Sequence, residues 1–416
     1  MKHSGTVAGV ALALLPCMGL AGTPDPNHPL PDGSSMLAWA VENQDHERVR
    51  LLLKRGAKPD GVGDPSSSPL IVACQYGDPV ILNMLLNAHA GVKIVGAGGI
   101  TPLALCAGSA PAAIVTRMIA AGAEVEKADD KGQTPLMWAA AKGRVESIRL
   151  LMEHGALINR ATSGGFTPLF FALKSGVPAA PDAVLEAGGD ASYVAPDGTS
   201  VVQLAMYQKN YEFAARMIER GASVTAFDRN GDQLLHAAVL ANQPSLVKLL
   251  LAKGADVNAP TGESKVKWRC EVNFMSAPYE PPPKSPLLLA AESGSAEIMR
   301  MLVDAGADPK FRAKDGTNVV LAAASSGNVA ALQQALELEP DVNVTTSDGQ
   351  TPLHILLGSN TSSDTGAMMK LLAAKGARTD LKNKAGETPA DVAKEAQTEA
   401  KAAFESTFAP RTARNL

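Results

Sequence analysis

The sequence predicts an all-α solenoid, about ten helix-turn-helix units of 33 residues closed by a C-terminal cap, and three observations carry that reading. Gly-Ala pairs or close relatives recur at Gly56, Gly122, Gly155, Gly221 and Gly254, with His89-Ala90 and Gly188-Gly189 in the gaps, at a constant step of 33 residues. A second comb, Ser35, Ser68, Thr101, Thr134, Thr167, Ser200 and Gln233, opens a short apolar segment at the same spacing. The composition is aliphatic, 46% hydrophobic with only 4% aromatic residues, which suits many short, closely packed helices.

Taken in chain order, the N-terminus comes first. Lys2 and His3 precede the apolar run Val7 to Leu15, and Gly19 to Ala21 offers the small residues of a cleavage site, so residues 1–21 read as a secretory signal. The run is too short for a permanent membrane span. Lipidation at Cys17 is the alternative, disfavoured by Pro16 directly before it. A linker, 22–30, leads into the array, 31–405, and a tail, 406–416, follows.

The clearest unit is "KGQTPLMWAAAKGRVESIRLLMEHGALIN", Lys131 to Asn159. Thr134 suits an N-cap, and Pro135 at the first helical position loses no hydrogen bond. Leu136, Ala139 and Ala140 lie on the buried side of this first helix, where small residues admit a close neighbour. Ile148, Leu150 and Leu151 stripe a second helix, and Gly155 ends it by accepting a left-handed backbone. Lys127 to Lys131 form the finger-like turn between units. This unit resembles the ankyrin repeat, with its G-x-T-P-L-H-x-A-A opening and L-L-x-x-G-A-x-x-N ending, and the resemblance covers about Pro31 to Phe404.

Beyond Gly254 the comb continues at Gly306, Glu339 and Gly376, with steps of 52, 33 and 37 residues. The two long steps contain insertions of 19 and 4 residues, placed within 259–284 and 358–366. The first holds the unusual stretch "KVKWRCEVNFMSAPYEPPPKSPL", expected to be an enlarged, helix-free finger. An eleventh, more polar unit, Gly386 to Glu405, reads as the cap. In repeats six, seven and nine, Ser200, Gln233 and Asn318 replace the Thr of the opening, so lost caps and fraying are expected there, at about 1 kcal/mol each.

A net charge of -4 with interspersed signs gives no basic face for nucleic acid and no polybasic anchor. No histidine pairs with a cysteine or another histidine at metal-ligand spacing, and no cofactor is expected. His236 and His354 fill the fourth position of the opening, where the resemblance implies a structural histidine bonded to turn backbone and the cap; His154 ends a helix. The glycine cluster Val95 to Gly99 falls in phase with the fingers and lacks the lysine of a phosphate loop. No G-x-S-x-G elbow is present, so the chain is not expected to be an enzyme. Cys74 and Cys106 fall one residue out of register on neighbouring first helices and are expected as buried free thiols, because stacked helices stand about 10 Å apart. Cys270 is expected as a free thiol on a loop.

The resemblance implies protein binding on a concave surface made of fingers and first helices. The position after the histidine slot carries Trp39, Val72, Leu105, Trp138, Phe171 and Leu204 before falling to Ala237. Such a row is either an interaction strip or packing against the next finger. Tyr76 and Tyr207 lie at the open ends of the same helices, and Trp268, Phe274 and Tyr279 of the insertion either cover the groove or meet a partner. The expected function is an exported, monomeric, non-catalytic scaffold of bacterial type, periplasmic or secreted, for a protein or peptide partner. The alternative is an accessory or inhibitory subunit of an exported enzyme, contacted through 259–284.

Overall fold

The computed structural model describes residues 25–264, 268–270, 276–278, 282–359 and 361–408. The signal at 1–21, Cys17, Phe274, Tyr279 and the end of the tail lie outside these residues. The chain divides into two units, 1–189 and 190–416. The first has first helices α1 (Met36–Glu42), α3 (Pro69–Tyr76), α5 (Pro102–Ser109), α7 (Pro135–Ala141) and α9 (Pro168–Lys174). They alternate with second helices α2 (His46–Lys54), α4 (Pro79–Asn87), α6 (Ala112–Ala120), α8 (Val145–Glu153) and α10 (Ala179–Glu186). The second unit has first helices α11 (Val201–Tyr207), α13 (Leu234–Leu240), α15 (Pro286–Glu292), α17 (Val319–Ser325), α19 (Pro352–Gly358) and α21 (Pro389–Glu395). Their partners are α12 (Tyr211–Glu219), α14 (Pro244–Ala252), α16 (Ala296–Asp304), α18 (Val329–Leu338), α20 (Thr365–Ala374) and α22 (Thr398–Phe408).

The two helix types differ because their sequences do. In α15, Pro286, Leu287, Leu288, Leu289, Ala290 and Ala291 are all buried, as an inner helix flanked on several sides requires. In α16 only Ile298, Met299 and Leu302 are buried, the single stripe of an outer helix. The last pair buries little beyond Pro389, Ala393 and Ala400, so it can end a stack without exposing an apolar face.

Two repeated hydrogen bonds hold successive repeats together. Finger meets finger through one backbone bond: Asp130 N–H donates to Gly98 (2.9 Å) in the first unit, and Gly262 to Gly231 (2.7 Å), Ser347 to Asp315 (2.6 Å) and Lys384 to Asp348 (2.8 Å) in the second. At four junctions an asparagine side chain latches one repeat's end to the helix end of the next. Asn27 Nδ2 donates to the Gly56 carbonyl, and Asn159 to Gly188, each at an offset of 29 residues. Across the large insertion Asn258 bonds Gly306 at an offset of 48, and across the small one Asn343 bonds Gly376 at an offset of 33. The offsets grow by the lengths of the insertions, so both insertions loop out of a stack whose contacts continue past them. Asn343 also accepts from the Arg378 N–H at 2.9 Å. Replacing Asn343 with alanine is expected to cost about 1 kcal/mol in urea unfolding, two exposed backbone bonds being lost together; a change near zero would remove the latch from the account.

Capping follows short side-chain oxygens rather than the Thr-Pro pair. Ser200 accepts from Gln203 N–H (3.2 Å) and Gln203 returns the bond to Ser200 N–H (2.9 Å), while Asn318 accepts from Leu321 N–H (3.0 Å). Repeats six and nine therefore keep caps, against the expectation, because Ser and Asn reach the same N–H that Thr does. Gln233 forms no side-chain cap bond, as expected. The uncapped starts that the pattern hid are Ser68 and Thr167, whose hydroxyls are buried without a partner.

Cys74 and Cys106 form a disulfide, with Cα atoms 4.6 Å apart, and this corrects the free-thiol expectation. Generic helix spacing does not apply here: α3 and α5 pack directly against each other, and the residues beside the two cysteines, Ala73 and Ala107, are small and buried. The Ser109 hydroxyl donates to the Cys74 carbonyl. Gly77 passes so near Ser109 that a Cβ would lie 2.5 Å from its carbonyl oxygen.

The large insertion carries strands β1 (Trp268–Cys270) and β2 (Ser276–Pro278), paired antiparallel with Arg269 opposite Ala277. Cys270 thus sits on a strand and not in a loop. The base is closed by Thr261 N–H donating to the Lys284 carbonyl (2.9 Å) and Lys284 N–H donating to Thr261 Oγ1 (3.0 Å).

Candidate protein-binding face

In the first unit α1, α3, α5, α7 and α9 pack side by side in that order. Trp39, Val72, Leu105, Trp138 and Phe171 occupy one position on them, and each is half-buried. An amphipathic spacing alone would place such residues either inside or outside; the intermediate exposure leaves one side of each group facing solvent. Arg48 of α2 stacks its guanidinium 5.1 Å from the Trp39 ring centroid, giving that end of the row a cationic border. The Trp138 indole N–H is buried without a hydrogen-bond partner among the described residues, so packing alone sets that ring's position. Tyr76, at the end of α3, is 52% exposed.

The second unit places Leu204 half-buried on α11, Ala237 buried on α13, Leu289 buried on α15, Ala322 buried on α17 and Ile355 half-buried on α19, so the row's position there alternates large and small groups. Tyr207 is 42% exposed, but its hydroxyl is engaged: it donates to the Asp228 carboxylate, and Asn230 Nδ2 donates to it at 3.2 Å. Asp228, buried at the start of the finger, also accepts from the N–H groups of Asn230 (2.8 Å) and Asp232 (2.9 Å). Burial and then the bond to Asp228 push the Tyr207 phenol well above its usual range. Sequence reasoning missed Phe227 on this finger and Leu240 on α13, both exposed. Leu240 stands seven residues after Gln233 as Tyr207 does after Ser200, a signal that the repeat register already contained. In the first unit Phe166, directly before Thr167, is an exposed finger residue of the same kind. Trp268 lies on β1; Phe274 and Tyr279 fall outside the described residues.

The two slot histidines are held as neutral rings. His236 Nε2 bonds the Ala259 carbonyl (2.9 Å) while Nδ1 accepts from Gln233 N–H (3.0 Å); His354 Nε2 bonds the Glu387 carbonyl (3.1 Å) and Nδ1 meets Thr351 Oγ1 (2.8 Å). Burial lowers both pKa values, so their contribution to stability is complete above about pH 6.5 and is lost as pH falls. Asp232 behaves oppositely. Burial, and next the Asp228 charge, raise its pKa to about 6, so its ionised form opposes folding above that pH and the penalty disappears on acidification toward 3.8. Asp232→Asn is therefore expected to gain about 1–2 kcal/mol at about pH 8, a gain that closes toward about pH 4. Urea titrations at both pH values check this, and an equal gain at each would contradict it.

Among the described residues no group of three or more His, Cys, Asp or Glu is placed to hold a metal ion. No described helix is long and apolar enough to cross a membrane. The face offers apolar area, hydrogen-bonding finger tips and a fixed backbone, which is the chemistry of recognition.

Comparison with known family models identifies the same repeat. The family described as "Ankyrin repeats (3 copies)" matches residues 103–190, 181–261 and 287–383. The chain is similar to "Ankyrin repeat and SOCS box protein 16" of Homo sapiens, 28% identical over 207 residues, covering 48% of this chain and 41% of that protein. It is similar to "Ankyrin repeat and SOCS box protein 6" of Homo sapiens, 34% identical over 139 residues, covering 31% and 29%. The "Nuclear factor NF-kappa-B p105 subunit" of Gallus gallus is 27% identical over 162 residues, covering 38% and 14%. The chain thus spans less than half the length of these relatives, all of them eukaryotic. A solved structure, "Crystal structure of human ASB11 ankyrin repeat domain", aligns over 58% of this chain and 98% of that one, at 18% identity and a TM-score of 0.46.

Proposed function

This chain belongs to the ankyrin repeat family, whose members act as protein–protein interaction scaffolds, and on that premise we propose that it is an exported, non-catalytic scaffold of bacterial type. It binds a protein or peptide partner on the surface formed by its fingers and first helices. The observation that carries the reading is the row Trp39, Val72, Leu105, Trp138 and Phe171, five apolar groups on adjacent helices, each with one side open to solvent. Aromatic anchors on a rigid backbone supply binding energy at low entropic cost. Export is supported by the signal-like residues 1–21 and by a disulfide, a bond that persists in oxidising compartments.

Affinity capture from the envelope fraction with mass spectrometry tests this proposal. One protein recovered in stoichiometric amount by the full chain is the expected result; recovery of none would contradict it. N-terminal sequencing of the envelope form is expected to begin at Gly22, and an intact Met1 would sink the export reading. The second reading, an accessory or inhibitory subunit, is favoured by the closed base of the insertion at Thr261 and Lys284 and by the strand pair that the insertion carries. A chain lacking residues 265–281 separates the two: partner loss favours the insertion, retention favours the row.

A further inference from the structure

We infer that the Cys74–Cys106 bond is made by thiol–disulfide exchange with an oxidant of the compartment where the chain folds, while α3 and α5 are still open to it, and is sealed from reductants once repeats two and three have packed. Both sulfur-bearing residues are 0% exposed. They join α3 to α5, on which Leu70, Ile71, Leu103 and Ala107 are buried as well. Exchange requires an incoming thiolate to approach one sulfur along the line of the bond that breaks, and the packed helices leave no such approach. The bond spans 32 residues, one repeat, so its two ends are sequence neighbours in the solenoid and meet as soon as these two repeats form. The Ser109 bond to the Cys74 carbonyl and the close pass of Gly77 hold the same helix ends together beside the sulfurs.

The chemistry balances with a protein or small-molecule disulfide as oxidant. The thiolate of one cysteine attacks the oxidant's disulfide, forming a mixed disulfide and releasing one thiolate. The second cysteine, after losing its proton, attacks the chain's own sulfur in that mixed bond and expels the other thiolate. The chain gives up two protons and two electrons, and the oxidant leaves as a dithiol or as two thiols. Tyr76 follows Cys74 by two residues and Leu105 precedes Cys106, so the bond fixes two residues of the proposed binding face. This inference bears on the export reading but not on the partner, and the bond can be mapped whether or not a partner is ever found.

The test uses the full chain taken from its native compartment, acid-quenched and alkylated in denaturant without reductant, then digested. The Cys74 and Cys106 peptides are expected to be joined, with the Cys270 peptide of the same digest reporting alkylation efficiency. Both peptides recovered alkylated would overturn the inference. Sealing is read separately by dithiothreitol: opening in native buffer is expected to be slower than in denaturant by on the order of a hundredfold or more, since it waits on local unfolding. Equal rates would overturn it. These readings use the unaltered chain, so they hold even where Cys74→Ala with Cys106→Ala fails to fold.

Discussion

Replacing Phe213 with alanine lowers the free energy of unfolding by about 3–5 kcal/mol, the largest single-residue loss expected in this chain. Phe213 of α12 is 0% exposed and heads the fully buried side chains by volume. Its N–H is capped by Asn210 and its ring carries the Arg216 guanidinium 5.7 Å from the centroid, so helix start, core and surface charge meet on one ring. Truncation removes the transferred apolar surface and leaves a cavity that Ala214, Met217 and Ile218 of the same short helix cannot collapse into, because their backbone is tied. Repeat arrays couple by nearest neighbours, so the loss also broadens the urea transition as this repeat opens ahead of others. Circular dichroism in urea checks both effects. Leu51→Ala is the control: that side chain is 53% exposed, and its change is expected within about 0.5 kcal/mol. A loss below about 1 kcal/mol for Phe213 would contradict the packing described.

The second large effect is on binding. Trp138→Ala with Phe171→Ala is expected to weaken partner affinity by about 2–4 kcal/mol, roughly 30-fold to a thousandfold, if aromatic anchors dominate as they do at protein interfaces. Because both rings are half-buried, the double variant also loses some packing energy, yet the buried residues Leu136, Met137 and Ala139 of α7 and Leu169, Phe170 and Ala172 of α9 are untouched. Unfolding is therefore expected to remain cooperative. Titration calorimetry with the captured partner separates the outcomes: unchanged affinity with preserved unfolding would remove the row from the binding surface.

Much of the fold was legible because the repeat states each rule many times. Pro135, Ala139, Gly155 and the histidines at 236 and 354 each sit where local chemistry places them, and the offsets of 48 and 33 residues at Asn258 and Asn343 match insertions counted in the sequence. What escaped depended on exact distances. Average helix spacing predicts free thiols at Cys74 and Cys106, whereas their Cα atoms stand 4.6 Å apart beside the close pass of Gly77 and Ser109. Ser68 and Thr167 have the right capping atoms, yet their hydroxyls make no cap bond, which no pattern encodes. Tyr207 read as an open aromatic until Asp228 appeared beside it, 21 residues on in sequence. The strand pair in the insertion occurs once, so the period that explained everything else was silent there.

The most direct test of the binding face is site-specific photocrosslinking with a photoreactive phenylalanine placed singly at positions 138, 171 and 51 of the full chain in the native envelope. The account predicts the same crosslinked partner from 138 and 171 and none from 51, where the exposed leucine of the outer helix α2 stands. A partner crosslinked from 51 and from neither 138 nor 171 would contradict it.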